Sequence, residues 1–238
     1  TAQYIGEGSI FLLLILAGAI FLFRAVRNQL RISEQQRNFM MAITHELKTP
    51  IAVSKLNLET LQKRKLDDSQ QEKLIQNTLK ETDRMNALCT NLLLSSQMES
   101  DGYKMTSESI NLSDLLSDCV SDFKIRFSDR NFISEIKQDL TINGDYFLLQ
   151  IAFNNLLDNA NKYSKKNHPI RITAFEKMHI EFVDEGIGIE DADKTNVFKK
   201  FYRSGTEATQ KSKGTGLGLY LVNRIIEMHH GTIRIEDN

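Results

Sequence analysis

Apolar and polar residues divide this chain into stretches of different periodicity. Residues 10–23 are continuously apolar or small, and the run extends weakly back to Ile5 past Glu7. A bilayer core of about 30 Å needs about 20 helical residues, a length that 5–23 just reaches if Glu7 lies at the outer interface. Arg24, Arg27 and Arg31 follow at once, which places the rest of the chain in the cytoplasm by the positive-inside rule. A signal peptide would carry its charges ahead of the apolar run and a small-residue cleavage site. A buried core helix would show a polar face. The pattern predicts a transmembrane helix. Residues 25–38 are largely polar, lack Gly and Pro, and are expected to continue that helix. Met40, Ile43, Leu47, Ile51, Leu58 and Leu61 then fall on a heptad-like stripe, with the helix ending near 64. Asp67, Asp68 and Ser69 make a turn and a helix start. A second helix over about 69–98 carries Leu74, Ile75, Leu79, Thr82, Met85, Cys89, Leu92 and Leu93 on its inner side. Two long helices around a short turn form an αα-hairpin, and dimerisation into a four-helix bundle is the simplest way to bury its stripe. Asp101-Gly102 breaks the pattern and marks a domain boundary.

Beyond the break the period changes. Strand-like pieces at 109–111, 132–136 and 140–142 surround a helix from 113 to about 128, which Ser113 is placed to cap. Asp145 opens a helix through 163. Residues 170–175 and 179–183 alternate in a two-residue period around Glu176-Lys177-Met178, as a hairpin would. A polar, glycine-bearing stretch over 186–214 precedes a helix over about 217–228 and a last strand over 231–236. Helices on one side of a mixed sheet make an α/β sandwich. The fold class is therefore multidomain, α and α+β, with no internal repeats or low-complexity segments.

Composition changes this picture little. Acidic and basic residues nearly cancel, 31 against 30, so no basic surface advertises nucleic acid and no acidic tail suggests disorder. Cys89 and Cys119 sit in amphipathic patterns without metal spacing and read as reduced core residues, so no zinc or iron site can be argued.

The candidate chemistry begins at His45-Glu46-Leu47-Lys48-Thr49-Pro50. If Met40 and Leu47 occupy a positions, His45 falls on the outer face of its helix. Imidazole is a nitrogen nucleophile at neutral pH, and Glu46 beside it can hold the ring or take its proton. Pro50 can kink the helix. Alone, the six residues read as a solvated histidine near a proline, and the motifs downstream reverse that reading. Asn155-Leu156-Leu157-Asp158-Asn159-Ala160-Asn161-Lys162-Tyr163 puts Asn155, Asn159 and Lys162 on one helix face. An amide oxygen suits Mg²⁺ and lysine suits phosphate, although a solvated polar face has the same pattern. Asp184-Glu185-Gly186-Ile187-Gly188-Ile189 sets an acceptor carboxylate beside a glycine turn that lets a flat ring approach, or simply ends a strand. Phe198, Phe201, Tyr202 and Arg203 place aromatics at helical spacing in a polar segment, as local core or as the anchor of a lid. Lys213-Gly214-Thr215-Gly216-Leu217-Gly218-Leu219 runs a glycine-rich loop into a helix N-terminus, where free N–H groups and the helix dipole favour an anion such as a triphosphate. It is neither a Rossmann fingerprint nor a P-loop.

These motifs in this order, after a histidine-bearing hairpin, resemble the bacterial two-component sensor histidine kinases from residue 39 to 236. Residues 45–50 resemble the phosphoacceptor box, 155–163 the N box, 184–188 the G1 box, 198–202 the F box and 214–218 the G2 box. The resemblance implies a dimeric phosphotransfer domain over 39–101 and an ATP-binding domain of the gyrase, Hsp90 and MutL type (the Bergerat fold) over 102–238. A transmembrane helix over 1–24 and a helical linker over 25–38 precede them. It implies that Asn159 coordinates Mg²⁺ with Asn155 in support, that Lys162 contacts phosphate and that Tyr163 packs near the adenine. It also implies that Asp184 accepts from the adenine amino group. Gly186, Gly188, Gly214, Gly216 and Gly218 would shape the ATP pocket, with Arg203 and Leu217 beside it, and Thr215 with neighbouring amides would meet the phosphates. His45 would attack the γ-phosphate, assisted by Glu46, and pass the group to an aspartate of a response regulator. Thr49 matches the position that helps orient water for dephosphorylating that partner, or is merely the residue before Pro50.

The resemblance therefore implies a homodimer anchored in the plasma (inner) membrane that binds no nucleic acid. An ATPase clamp of the same fold and a silent dimeric scaffold are the alternatives; His45 argues against the first, and intact Asn159, Asp184 and G2 glycines against the second. No relay domain fits between residues 23 and 39. The start at Thr1 and the end at Asn238 suggest a longer protein and a sheet short of its closing strand. His168, His179, His229 and His230 are read as structural or solvated.

Overall fold

The computed structural model describes residues 2–100, 102–175, 178–203 and 214–237, with side chains from Leu12 onward. The predicted features at Asp101, Glu176, Lys177 and Lys213 lie outside the described residues. The chain divides into two units, Thr1–Met41 and Ala42–Asn238. Helix α1 (Ala2–Lys63) supplies the described part of the first. There Leu13, Leu14, Phe21, Leu22 and Phe23 are all more than half exposed, an apolar surface without a polar side. One helix, Leu12–Lys63, is long and apolar enough to cross a membrane by length and composition.

In the second unit the remainder of α1 pairs with α2 (Asp68–Glu99). Asp67 caps α2, its carboxylate accepting from the Gln70 N–H at 2.8 Å. α1 stays helical through Pro50, which is buried. Ile43 and Asn57 of α1 and Leu94, Ser95 and Met98 of α2 are buried as well. The predicted stripe is split between two faces. Leu74, Met85 and Leu92 are half-buried, whereas Ile75, Leu79 and Leu93 are exposed, as are Ile51 and Leu58 of α1. Ile51, Leu58 and Met85 line an open apolar groove. Cys89, expected in a core, is exposed, because one hairpin covers only one side of α2; Cys119 is buried as expected.

The rest of the unit is the sandwich. β1 (Glu108–Asn111) pairs antiparallel with β3 (Thr141–Gly144). β2 (Phe132–Ile136) runs parallel to β4 (Ile170–Phe175), which pairs antiparallel with β5 (His179–Val183). Helices α3 (Leu112–Arg126) and α4 (Tyr146–Tyr163) pack on these strands, and α5 (Gly218–Met228) packs against α4 and α2. The period-two pattern puts Ile170, Ile172 and Ala174 in the core and Arg171 outside. Leu148 and Leu157 of α4 meet Leu221 and Ile225 of α5 there, and Leu94 and Met98 of α2 join the same cluster.

Two local expectations differ. Asn111, not Ser113, caps α3: its side chain accepts from the Ser113 and Asp114 N–H groups, because its amide oxygen stands before the first turn. The Ser113 hydroxyl instead donates to the Lys137 carbonyl at 2.6 Å and accepts from the Leu140 N–H at 3.0 Å. Residues 191–201, within the polar glycine-bearing stretch, form successive turns, with Phe201 at φ 65°. Residues 231–236, predicted as a strand, pair with no strand among the described residues. Alternation suits a strand, but a strand also needs an edge in register, and Asp237 is tied by an ion pair to Lys194 at 2.6 Å.

Candidate active site

Helix α4 carries the polar face, and both of its ends are held. At its start Asp145, 2% exposed, accepts from the N–H groups of Leu148 and Thr106 and from the hydroxyls of Thr106 and Tyr103. Burial alone would raise its pKa, but these donors outweigh it and hold the carboxyl below the usual range. The same burial, with Asp145 beside it, pushes the Tyr103 phenol up to about 12. The Asp145 N–H donates to His229 Nε2 at 2.9 Å, and the other ring nitrogen of His229 lies 2.7 Å from the Ile225 carbonyl. The α4 N-terminus is thus laced to the end of α5. At the far end Arg130 donates to the Asn161 side chain at 2.9 Å, to the Ser164 carbonyl at 2.9 Å, to the Lys165 carbonyl at 2.8 Å and to the Asn161 carbonyl. A cation on the last carbonyls of a helix satisfies acceptors that have no helical partner.

Between these anchors the glycine motifs close on α4. A Cβ at Gly186 would stand 2.6 Å from the Asp184 carboxylate and 2.9 Å from the Tyr163 carbonyl. One at Gly214 would stand 2.6 Å from Lys162 Nζ, and one at Gly218 3.1 Å from Asn155 Oδ1 and 3.7 Å from Asn159 Nδ2. The Phe201 N–H donates to the Gly216 carbonyl at 3.0 Å, joining the aromatic turn to the glycine loop. The structure therefore brings Asn155, Asn159, Lys162, Tyr163, Asp184 and these glycines to one place. Asn159 Nδ2 is buried without a partner among the described residues, and Lys162 Nζ lies 4.9 Å from the Tyr163 ring centroid. Burial raises the Asp184 pKa, opposed by the Gly186 N–H and the Arg130 charge. Gly188 is exposed and Thr215 half-buried, whereas Leu217 as a whole is 1% exposed. Arg203 is half-buried at the end of the aromatic turn.

The hairpin carries the other half. His45 is exposed, and its imidazole has no bonded partner among the described residues. The Thr49 hydroxyl donates to the His45 carbonyl at 3.2 Å. Glu46, in contrast, is buried, and its Oε2 accepts from Arg84 Nη2 of α2 at 2.7 Å. α2 also touches the sandwich through polar groups. Asn91 Nδ2 donates to Asn155 Oδ1 at 3.1 Å, and Lys200 pairs with Glu99 at 2.6 Å. Sequence reasoning did not single out Arg84, Asn91, Arg130 or Lys200. Each is a common polar residue whose partner lies far away in the chain, so no local pattern marks it.

Fold and site together define an α/β sandwich of the Bergerat type joined to a histidine-bearing helical hairpin. The profile of the histidine kinase-, DNA gyrase B- and HSP90-like ATPases matches residues 144–238, and that of the His kinase A phosphoacceptor domain matches residues 35–101. The chain belongs to the two-component sensor histidine kinases. It is 29% identical over 223 residues to the sensor protein kinase WalK of Staphylococcus epidermidis, covering 91% of this chain and 37% of that protein. WalK of Staphylococcus aureus is matched at the same identity over 54% of its length. The chain thus spans between about a third and just over half of these curated relatives. Among solved structures, the Acinetobacter baumannii histidine kinase AdeS superposes with a TM-score of 0.53 at 22% identity, covering 81% of this chain and 91% of AdeS. ShkA, solved at full length in complex with AMPPNP, superposes with a TM-score of 0.54 at 17% identity, covering 83% of this chain and 42% of ShkA. Both likenesses speak to the fold.

Proposed function

We propose that this chain is the membrane-anchored catalytic part of an ATP-dependent protein-histidine kinase. Its segments are a transmembrane helix over 1–24, a helical linker over 25–38, a phosphotransfer domain over 39–101 and an ATP-binding domain over 102–238. The observation that carries the reading is the convergence of the Asn, Lys and Gly motifs on one face of α4, in a chain whose hairpin exposes an unpartnered imidazole at His45. A His45 ring nitrogen bonds to the γ-phosphorus of ATP while the bond to the bridging oxygen breaks and its electron pair leaves with ADP. The ring proton passes to Glu46 or to water. Lys162 and the G2 amides, with Thr215, hold the phosphates in place. Asp184 receives the adenine amino group.

The residues fit a Mg²⁺ ion. The Asn159 amide, whose oxygen is a hard ligand, stands 3.7 Å from where a Gly218 Cβ would lie in the glycine cradle, and Asn155 is one turn away to support it. When bound, the metal neutralises phosphate charge. The phosphoryl group then moves to an aspartate of a response regulator, and Thr49 orients water when that product is hydrolysed. A second copy of the chain covers the apolar groove at Ile51, Leu58 and Met85.

The detergent-solubilised chain, incubated with γ-labelled Mg-ATP beside a His45→Gln variant, tests the reading. Label that is acid-labile, base-stable and absent from the variant is the expected result. Label retained by His45→Gln, or nucleotide bound without any label, would overturn it.

A further inference from the structure

The ion pair between Glu46 and Arg84 joins the two helices of the hairpin beside the histidine. A carboxylate on a residue 5% exposed is costly unless a partner compensates its lost hydration. Arg84 Nη2, at 2.7 Å from Glu46 Oε2, is that partner, and it comes from the other helix. Only one carboxylate oxygen is engaged: Glu46 Oε1 has no hydrogen bond or ion pair among the described residues. The next residue back is His45, exposed and unpartnered. Arg84 is placed for more than one acidic group. Its Nη1 lies 3.9 Å from Glu81 Oε2, an atom buried without a hydrogen bond, and Asp158 on α4 is within electrostatic reach of both Arg84 and Glu46. A guanidinium held between helices in this way fixes direction as well as charge, because its planar fork has a fixed geometry.

We propose that Arg84 is a positioning residue for the His45 reaction: it anchors one oxygen of Glu46 so that the other stays free for the neighbouring imidazole. The inference rests on the kinase reading of His45 and Glu46. Losing a general base outright costs about a hundredfold or more in rate. Losing its anchor leaves the carboxylate present but undirected, so the effect is smaller and acts only through Glu46.

The test compares Arg84→Gln, Arg84→Lys, Glu46→Gln and the Arg84→Gln/Glu46→Gln double variant of the full chain in detergent. The measurements are initial rates of His45 labelling over a range of ATP, nucleotide binding and dimer mass. Arg84→Gln is expected to lower kcat about tenfold, below the hundredfold of a lost base, at unchanged KM for ATP and unchanged dimer mass. Arg84→Lys should fall between it and the parent, since an ammonium supplies charge without the fork. In the Glu46→Gln background Arg84→Gln should cost nothing further. A parent-like Arg84→Gln, a full additional loss in the double variant, or a change in KM alone would overturn the inference. If Arg84→Gln does not fold, Arg84→Lys decides, and a normal kcat there refutes it. A parent chain that takes no label at His45 fails the kinase reading itself and the inference with it, a pattern distinct from loss in the Arg84 variants alone.

Discussion

Gly216 and Gly188 share a backbone conformation and differ in their surroundings, which makes them a controlled pair. Both have φ +70°. Alanine in that region costs about 1–2 kcal/mol for a single residue. At Gly188 nothing lies within 4 Å of a new Cβ, so Gly188→Ala incurs that cost alone. At Gly216 the Cβ would stand 2.8 Å from the Tyr202 carbonyl oxygen, 2.9 Å from the Phe201 carbonyl carbon and 3.1 Å from the Phe201 Cα. Ordinary contact begins at 3.4 Å, and every one of these atoms is backbone, so the loop must part from the aromatic turn. The parting also strains the hydrogen bond from the Phe201 N–H to the Gly216 carbonyl, which at 3.0 Å joins the two segments. A net hydrogen bond is worth about 1 kcal/mol, so the total for Gly216→Ala is about 2–3 kcal/mol. The variant relaxes by moving the loop, and a nucleotide must pull it back. At about 1.4 kcal/mol per decade, Kd for a fluorescent ATP analogue should rise about 30- to 140-fold in Gly216→Ala and no more than about 5- to 30-fold in Gly188→Ala. Equilibrium titration reads the difference, with thermal unfolding run alongside to exclude global loss. Equal affinities for the two variants would refute the reasoning, since the expected difference rests on what the Cβ meets.

Three further outcomes concern α4, two at its anchors and one on its polar face. Asp145 has its pKa lowered in the fold, so its stabilisation is present above the ordinary aspartate value and is lost as pH falls through the folded value, that is below about pH 4. Asp145→Asn should therefore lower the thermal midpoint clearly at pH 7 and progressively less as the pH falls below about 4, and a pH-independent difference would count against the network. Arg130→Gln removes the donors from the α4 C-terminus and should destabilise by about 2 kcal/mol in urea unfolding, with Arg130→Lys milder; parent-like curves would show that water replaces the guanidinium freely. Asn159→Ala should lose Mg-ATP turnover while light scattering still reports the parent's mass, and unchanged labelling would remove Asn159 from the metal role.

The sandwich was legible where periodicity met a chemical punctuation mark. The alternation over 170–175 and 179–183 and the Asp145 cap of α4 translate directly into a hairpin and a helix, because burial of one face and an orphan N–H are local demands. Helix 113–128 was legible in outline but not at its start. Asn111 and Ser113 are both good caps, and only the pairing of β1 with β3, which delivers Lys137 and Leu140 to the Ser113 hydroxyl, separates them. The stripe on α2 could not be resolved into faces, since residues such as Ile75 and Leu79 are apolar for a partner that a single sequence does not show. The grouping of Asn155, Asn159 and Lys162 is a matter of helical spacing. Their closeness to Gly214 and Gly218 is a matter of tertiary fold and came only through the family resemblance. Glu46 reads from sequence as a free neighbour of His45, and the structure buries it against Arg84 of the other helix.

The contacts between hairpin and sandwich have a thermodynamic consequence. Asn155 stands beside Gly218 and Asn159 in the glycine cradle, and its amide oxygen accepts from Asn91 Nδ2 of α2. Lys200, on the aromatic turn that leans against Gly216, is paired with Glu99 near the end of α2. Leu94 and Met98, between Asn91 and Glu99, are buried with α4 and α5. α2 is therefore part of the wall on which the N-box helix and the glycine loop rest. A ligand that engages the Asn155 amide competes with Asn91 for it, and one that reorders the aromatic turn acts on the Lys200 pair. By linkage the effect is reciprocal: a shift of α2 that draws Asn91 away changes the affinity of the cradle by the same factor that a ligand in the cradle changes the position of α2. The size of that coupling is bounded by the contacts that differ, here the two neutral hydrogen bonds between the Asn91 and Asn155 amides, the second at 3.4 Å, and one partly exposed ion pair. Those are worth about 1–3 kcal/mol together, or between about fivefold and a hundredfold in affinity.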